Sequence, residues 1–189
     1  MREEVFYKYR GLDNFEFFAD IILNKRLYAA QFQTLNDPME GHYYYSMNED
    51  NEKNIDKWAK DFFNQKQKHR ICSLSKDNNN MLMWSHYANS HKGVCIGVTI
   101  EDRPDFIHSG PVTYLDDLPI LQYNSTPQEV LMKKLKAWNY EREHRVISTE
   151  QFVKISVKEI IFGSRCTPVH KKIVRAIVEK YSPEIILKN

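Results

Sequence analysis

The stretch Lys136–Ser148, KAWNYEREHRVIS, places Glu141, Arg142, Glu143, His144 and Arg145 in succession directly ahead of a β-branched pair, Val146 and Ile147. If the chain is extended there, alternate side chains share a face. Glu141 and Glu143 then point the same way, roughly 7 Å apart at the backbone, with Arg145 beside them. Two carboxylates on one wall can divide labour, one stabilising developing positive charge and the other activating a nucleophile. The same spacing also suits a helix continuing from Lys133, in which Glu141 and Arg145 form an i,i+4 pair worth a few tenths of a kcal/mol on a wet surface.

Other candidates lie upstream. In RICSLSK, Ser73 and Ser75 share one face of an expected strand and Cys72 and Leu74 the other, so the hydroxyls can line a cleft while the apolar pair packs inward. Arg10, at the end of an aromatic-rich first strand, can grip a phosphate or carboxylate with two parallel hydrogen bonds, or pair with an acid on the surface. In MLMWSHYANSHKG, Met81, Met83 and Trp84 are packing residues, and one or both of His86 and Tyr87 are expected to reach a pocket. His86 and His91 fall on different faces of a helix, so a shared metal would need the chain to turn between them. Asp37 and Glu40 in NDPME could hold a cation, but Asn36, Asp37 and Pro38 are explained by turn formation alone. Phosphate-loop, dinucleotide-fingerprint, nucleophile-elbow and zincin motifs are absent from the sequence.

The elements that must position these groups follow from periodicity and punctuation. Strands are expected at Val5–Arg10, Leu27–Phe32, Arg70–Lys76, Val94–Ile100, around Val112–Leu115, at Arg145–Ser148 and Glu159–Phe162, and near Ile185. A helix capped by Asp13 or Asn14 carries Phe17, Phe18, Ile21 and Ile22. Others are expected over Asn48–Lys68, Met81–Ala88, Pro127 to about Trp138, and from Pro168 with Ile173, Val174, Ile177 and Val178 inward. Helices and strands are mixed without a regular βαβ rhythm, which predicts an α+β class. The 189 residues fit one domain, residues 1–189.

Composition narrows the partners. Basic residues exceed acidic ones by only 27 to 25, which gives no sign of a protein built around phosphate backbones. The three cysteines are far apart and form no C-x-x-C, so they read as small buried hydrophobes rather than a disulfide framework or zinc knuckle. No stretch reaches the roughly 20 apolar residues that span a bilayer, and the charged amino terminus lacks the pattern of a secretory signal. The expectation is a cytoplasmic protein with no membrane partner.

Five blocks, YKYR (Tyr7 to Arg10), NDPME, ICSLS, MWSHYANSHKGVCIG and WNYEREHR, resemble in order those of a bacterial family known as domain of unknown function 2971. More distantly, the succession of a strand with Arg, a strand with Ser-x-Ser and a late Glu-x-Glu is similar to that of ADP-ribosyltransferases. Leu74 stands where those enzymes usually have threonine. This second resemblance implies a mixed, mainly antiparallel split sheet flanked by helices, NAD as substrate, no metal, and a macromolecular acceptor, protein or nucleic acid, in a toxin or phage-defence setting. It implies Arg10, with Tyr9, on the NAD phosphates or ribose, Ser73 or Ser75 on the nicotinamide ribose, and Tyr87, with His86, at the nicotinamide. Glu143 would stabilise the oxocarbenium-like state and Glu141 would orient the acceptor. Two other functions fit the residues: a non-catalytic module binding a nucleotide or protein through the Trp84–His91 surface, and a metal-dependent nuclease using NDPME and the paired glutamates.

Overall fold

The β-branched and aromatic runs separated by glycine and proline do form strands, and they pair mainly antiparallel. In the computed structural model, which describes residues 4–45, 55–101 and 106–189, the chain runs β1 (Phe6–Arg10), α1 (Phe15–Asn24), β2 (Arg26–Tyr28), β3 (Tyr44–Tyr45), α2 (Ile55–Gln67), β4 (Arg70–Ser75), α3 (Met81–Tyr87) and β5 (Val94–Ile100). It continues through β6 (Phe106–Pro111), β7 (Thr113–Leu115), β8 (Ile120–Leu121), α4 (Pro127–Leu131), β9 (Lys133–Leu135), β10 (Glu143–Ser148), β11 (Phe152–Phe162), α5 (Pro168–Tyr181) and β12 (Ile186–Lys188). Among the described residues the main sheet has the order β12-β11-β5-β1-β4-β10-β6, with β2 also on β11. Only the β11–β12 pair in it is parallel. This is an α+β protein with a mainly antiparallel sheet flanked by helices.

One face of the sheet carries the large core, where Phe18, Ile21 and Ile22 of α1 and Val174 and Val178 of α5 meet Ile96, Val98, Cys72, Leu74 and Val146. Phe18 and Ile22 lie one helical turn apart, so the amphipathic spacing read from the sequence is the face α1 buries. The opposite face is covered by α3, whose Met83 and Trp84 pack on Tyr9 and Cys95. All three cysteines are buried and free.

Several boundaries differ from the expected ones, each for an identifiable reason. Beyond Tyr28 the chain leaves the sheet, makes a single bridge from Ala30 to Ile71 and turns through a 3-10 helix at Phe32–Thr34. The helix expected to reach Trp138 stops at Leu131, because the following residues serve other contacts: β9 pairs with β7, and Lys134 is drawn inward between two carboxylates. Edge strand β6, FIHSGP, gives no strand signal in its sequence, since proline and glycine are tolerated only at such an edge. Helix α2 matches the expectation from Ile55 onward, and residues 48–54 lie outside the described residues.

The α3–β5 turn depends on Gly93. A Cβ there would lie 2.0 Å from the carbonyl oxygen of Arg10, and the Gly93 carbonyl accepts from Gly163 N at 2.9 Å. A Gly93→Ala substitution is therefore expected to lower stability by about 1–3 kcal/mol, the usual range for a forced backbone shift, measured as the urea midpoint.

Candidate active site

The sheet opens at its centre. Among the described residues β1 and β4 are in register only at Tyr7 opposite Ser75, whereas β4 pairs with β10 along its whole length. The side chains of Tyr7, Tyr9, Ser73, Ser75, Glu143 and Arg145 belong to the face under α3, since directly opposed residues share a face. They line a cavity of about 130 Å³ at this opening, closed by Tyr87 and Met83 of α3, Leu35 and Asn36 of the preceding turn, and Lys134. Lys8 crosses the gap, its Nζ donating to the Ser73 carbonyl at 2.9 Å.

Two glutamates reach this cavity by different routes. Glu143 begins β10, as the strand reading of WNYEREHR requires, but Glu141 does not lie on the strand. It ends a 3-10 helix, Lys136–Glu141, and Arg142 with φ of 45° turns the chain in the left-handed region between them. Neither alternative considered for this stretch describes it fully: a tight helical turn, not strand alternation, brings Glu141 to the cavity. Nor is there an exposed i,i+4 pair, because Glu141 and Arg145 are both buried. The turn is fixed by Ser75, whose hydroxyl donates to the Glu141 carbonyl at 2.6 Å and accepts from Asp77 N at 3.0 Å.

Charges alternate along a continuous chain of contacts. Glu40 holds the Arg145 guanidinium with both oxygens at 2.7 Å. Arg145 in turn donates from Nε and Nη2 to Glu143 at 2.7 and 3.1 Å. Lys134 Nζ bridges Glu143 at 3.3 Å and Glu141 at 2.5 Å, and the Tyr87 hydroxyl donates to the other Glu141 oxygen at 2.5 Å. Arg145 has no exposed surface.

Burial alone would raise both carboxyl pKa values. At Glu143 that effect is overcome by Arg145, with help from Lys134 and a hydrogen bond from Ser73, and the carboxyl is held down at about 2. At Glu141 burial wins despite Lys134 and Tyr87, and the carboxyl is raised. The two neighbouring carboxyls are thereby set apart, Glu143 well below the usual carboxylate range and Glu141 above it, the kind of separation from which acid–base roles are read. Burial and the Glu141 carboxylate push the Tyr87 phenol upward, so it remains a donor.

The remaining candidates separate by geometry. Tyr9 lines the cavity edge, yet its ring packs edge-on against Trp84 at 5.2 Å and its hydroxyl is committed to the Asp77 carbonyl at 2.7 Å. His86 is exposed on an adjoining depression, 6.2 Å from the rings of Tyr87 and Tyr140. Arg10 is not in the cavity. Strand alternation turns it to the face opposite Tyr9, where its guanidinium lies 4.8 Å from the Phe17 ring centroid and lines two depressions flanking the cavity. His91 stacks on Trp84. The Asp37 carboxylate accepts from Met39 N at 2.9 Å and Glu40 is occupied by Arg145, so NDPME forms its expected turn. No group of three or more His, Cys, Asp or Glu is arranged to hold a metal among the described residues.

Sequence reasoning missed Lys8, Lys134, Asn36 and the structural use of Glu40. Lys134 sat inside what read as a surface helix, where a lysine carries no signal.

Fold and site together define an α+β protein with a small cavity at a sheet opening, walled by two buried glutamates, Glu141 and Glu143. Residues 83–146, roughly a third of the chain, match the model of a family described as protein of unknown function (DUF2971). That stretch takes in α3 from Met83 onward and the positions of Lys134, Glu141, Glu143 and Arg145, and it leaves out Arg10, Ser73 and Ser75. No curated protein matches the chain, and no solved structure does. No helix among the described residues is long and apolar enough to cross a membrane.

Proposed function

We propose that the cavity binds the nicotinamide end of NAD and cleaves its glycosidic bond, with ADP-ribose passing to water or to a macromolecular acceptor, in the manner of an ADP-ribosyltransferase. The observation that carries this reading is the convergence of Glu141 and Glu143 on one cavity wall beside Ser73 and Tyr87. Loss of nicotinamide leaves positive charge at the anomeric carbon, which a fixed carboxylate such as Glu143 stabilises. The attacking hydroxyl must shed a proton, and Glu141, whose carboxyl is raised by burial, takes it in its ionised form. At about 130 Å³ the cavity is smaller than the roughly 300 Å³ at which drug-sized pockets begin, so it suits one end of a larger ligand. Tyr87 supplies a ring against that end and Ser73 a hydroxyl.

Glu143 is engaged by both Arg145 and Lys134, and this favours a second reading: a nucleotide- or protein-binding module in which the charge chain only shapes the cavity. Incubation with NAD decides between them. Release of nicotinamide with formation of ADP-ribose or a labelled acceptor is expected. Saturable NAD binding with no nicotinamide released would establish the binding module instead.

A further inference from the structure

A second, larger hollow adjoins the site at Lys8. A groove of about 640 Å³ shares Lys8, Ser73 and Leu35 with the central cavity and runs out along α1 and β2, with Arg10, Phe17, Tyr28 and Phe152 along it. Its floor includes Leu27 and Ile71, both buried. Phe17 and Tyr28 are 51% and 52% exposed, large apolar rings left open to solvent at a concave surface. The two arginines on the groove differ. Arg26 is neutralised by Asp20, at 2.8 Å, and lies over Phe152 with its guanidinium 3.7 Å from the ring centroid. Arg10 lies 4.8 Å from the Phe17 ring centroid and in the field of Asp13 and Glu16, but it has no ion pair among the described residues, and its Nε is buried without a hydrogen-bond partner. A buried N–H without a partner is costly, and an anion oxygen in the groove would satisfy it.

We infer that this groove is a nucleoside-phosphate site, in which the phosphate is held by Arg10 and Lys8 and the base packs on the exposed rings of Phe17 and Tyr28. Arg10 supplies paired N–H donors suited to phosphate geometry, and Lys8 a point charge. The rings supply apolar faces on which a base stacks. The site binds without requiring turnover of NAD, so it goes beyond the function proposed above. Its ligand chemistry has two sources, a free nucleotide or dinucleotide and the end of a single strand of nucleic acid.

Calorimetric titration of the full chain with AMP, with inorganic phosphate and with a short single-stranded oligoadenylate tests this. AMP is expected to bind more tightly than phosphate, and Arg10→Gln and Phe17→Ala are each expected to weaken AMP at least tenfold. Phe17 is half exposed, so its replacement leaves the fold intact as a check on Arg10. Affinity for the oligoadenylate above that for AMP would identify a strand as the source, and equal affinity a free nucleotide. Phosphate binding as well as AMP, or AMP binding unchanged by both substitutions, would overturn the assignment. AMP binding that depends on Arg10, in a protein that releases no nicotinamide from NAD, would leave this site standing and remove the enzymatic reading.

Discussion

An Arg145→Leu variant is expected to lose about 3–5 kcal/mol of stability, the range found when one member of a buried ion pair is removed. The reason is what remains. Glu40 and Glu143 each lose two hydrogen bonds, at 2.7 to 3.1 Å, and are left as buried carboxylates, Glu143 with Lys134 and Ser73 and Glu40 with the charge of Lys66. The loss should depend on pH with a definite sign. In the native protein Glu143 is depressed to about 2 from the usual 4.5, so its stabilising contribution is present above 4.5 and disappears as pH falls toward 2. Without Arg145 that contribution goes, and the deficit against the native protein is largest at neutral pH and shrinks in acid. Replacing Glu40 and Glu143 together with Arg145 by apolar residues of similar volume is expected to recover most of the loss. Urea midpoints for the three proteins are the measurement, and a loss under 1 kcal/mol for Arg145→Leu would contradict the buried chain.

Glu143→Gln is expected to lower nicotinamide release from NAD by about 10²–10³-fold, the scale for deleting one preorganised electrostatic group. The amide keeps the size of the side chain but removes the charge that faces the anomeric carbon. Glu141→Gln should act differently. Burial raises the Glu141 carboxyl and only its anion accepts a proton, so the native rate climbs with pH through a region above 4.5. In Glu141→Gln that limb of the pH profile is expected to vanish. Equal loss of rate in both variants with the pH profile unchanged would assign the pair a purely structural role.

How much of this was legible beforehand varies with what each residue contacts. The strand Arg70–Ser75 and helix α1 follow from local alternation and helical spacing, because each buries one face against the same core. The approach of Ser73, Ser75, Tyr87, Glu141 and Glu143 to one cavity was expected from motif order, but the route was not. Glu141 arrives through a 3-10 turn ended by a left-handed arginine, a conformation that non-glycine residues adopt uncommonly. Arg10 was expected at the same cavity, although the alternation that places Tyr7 and Tyr9 there already sends Arg10 to the other face. Lys134 and Glu40 act through partners 7 and 105 positions away, and the more distant contact has no local signature at all. A buried charge chain is a property of the assembled fold, and its members look like surface residues in sequence.

The difference between the two glutamates is open to direct observation by carbon NMR of the side-chain carboxyls, titrated in the intact protein and assigned with Glu141→Gln and Glu143→Gln. Glu143 is predicted to stay ionised until pH approaches 2, and Glu141 to take up its proton above the ordinary 4.5. Two carboxyls titrating together near 4.5 would contradict the account, since neither would then be set apart to carry charge or proton.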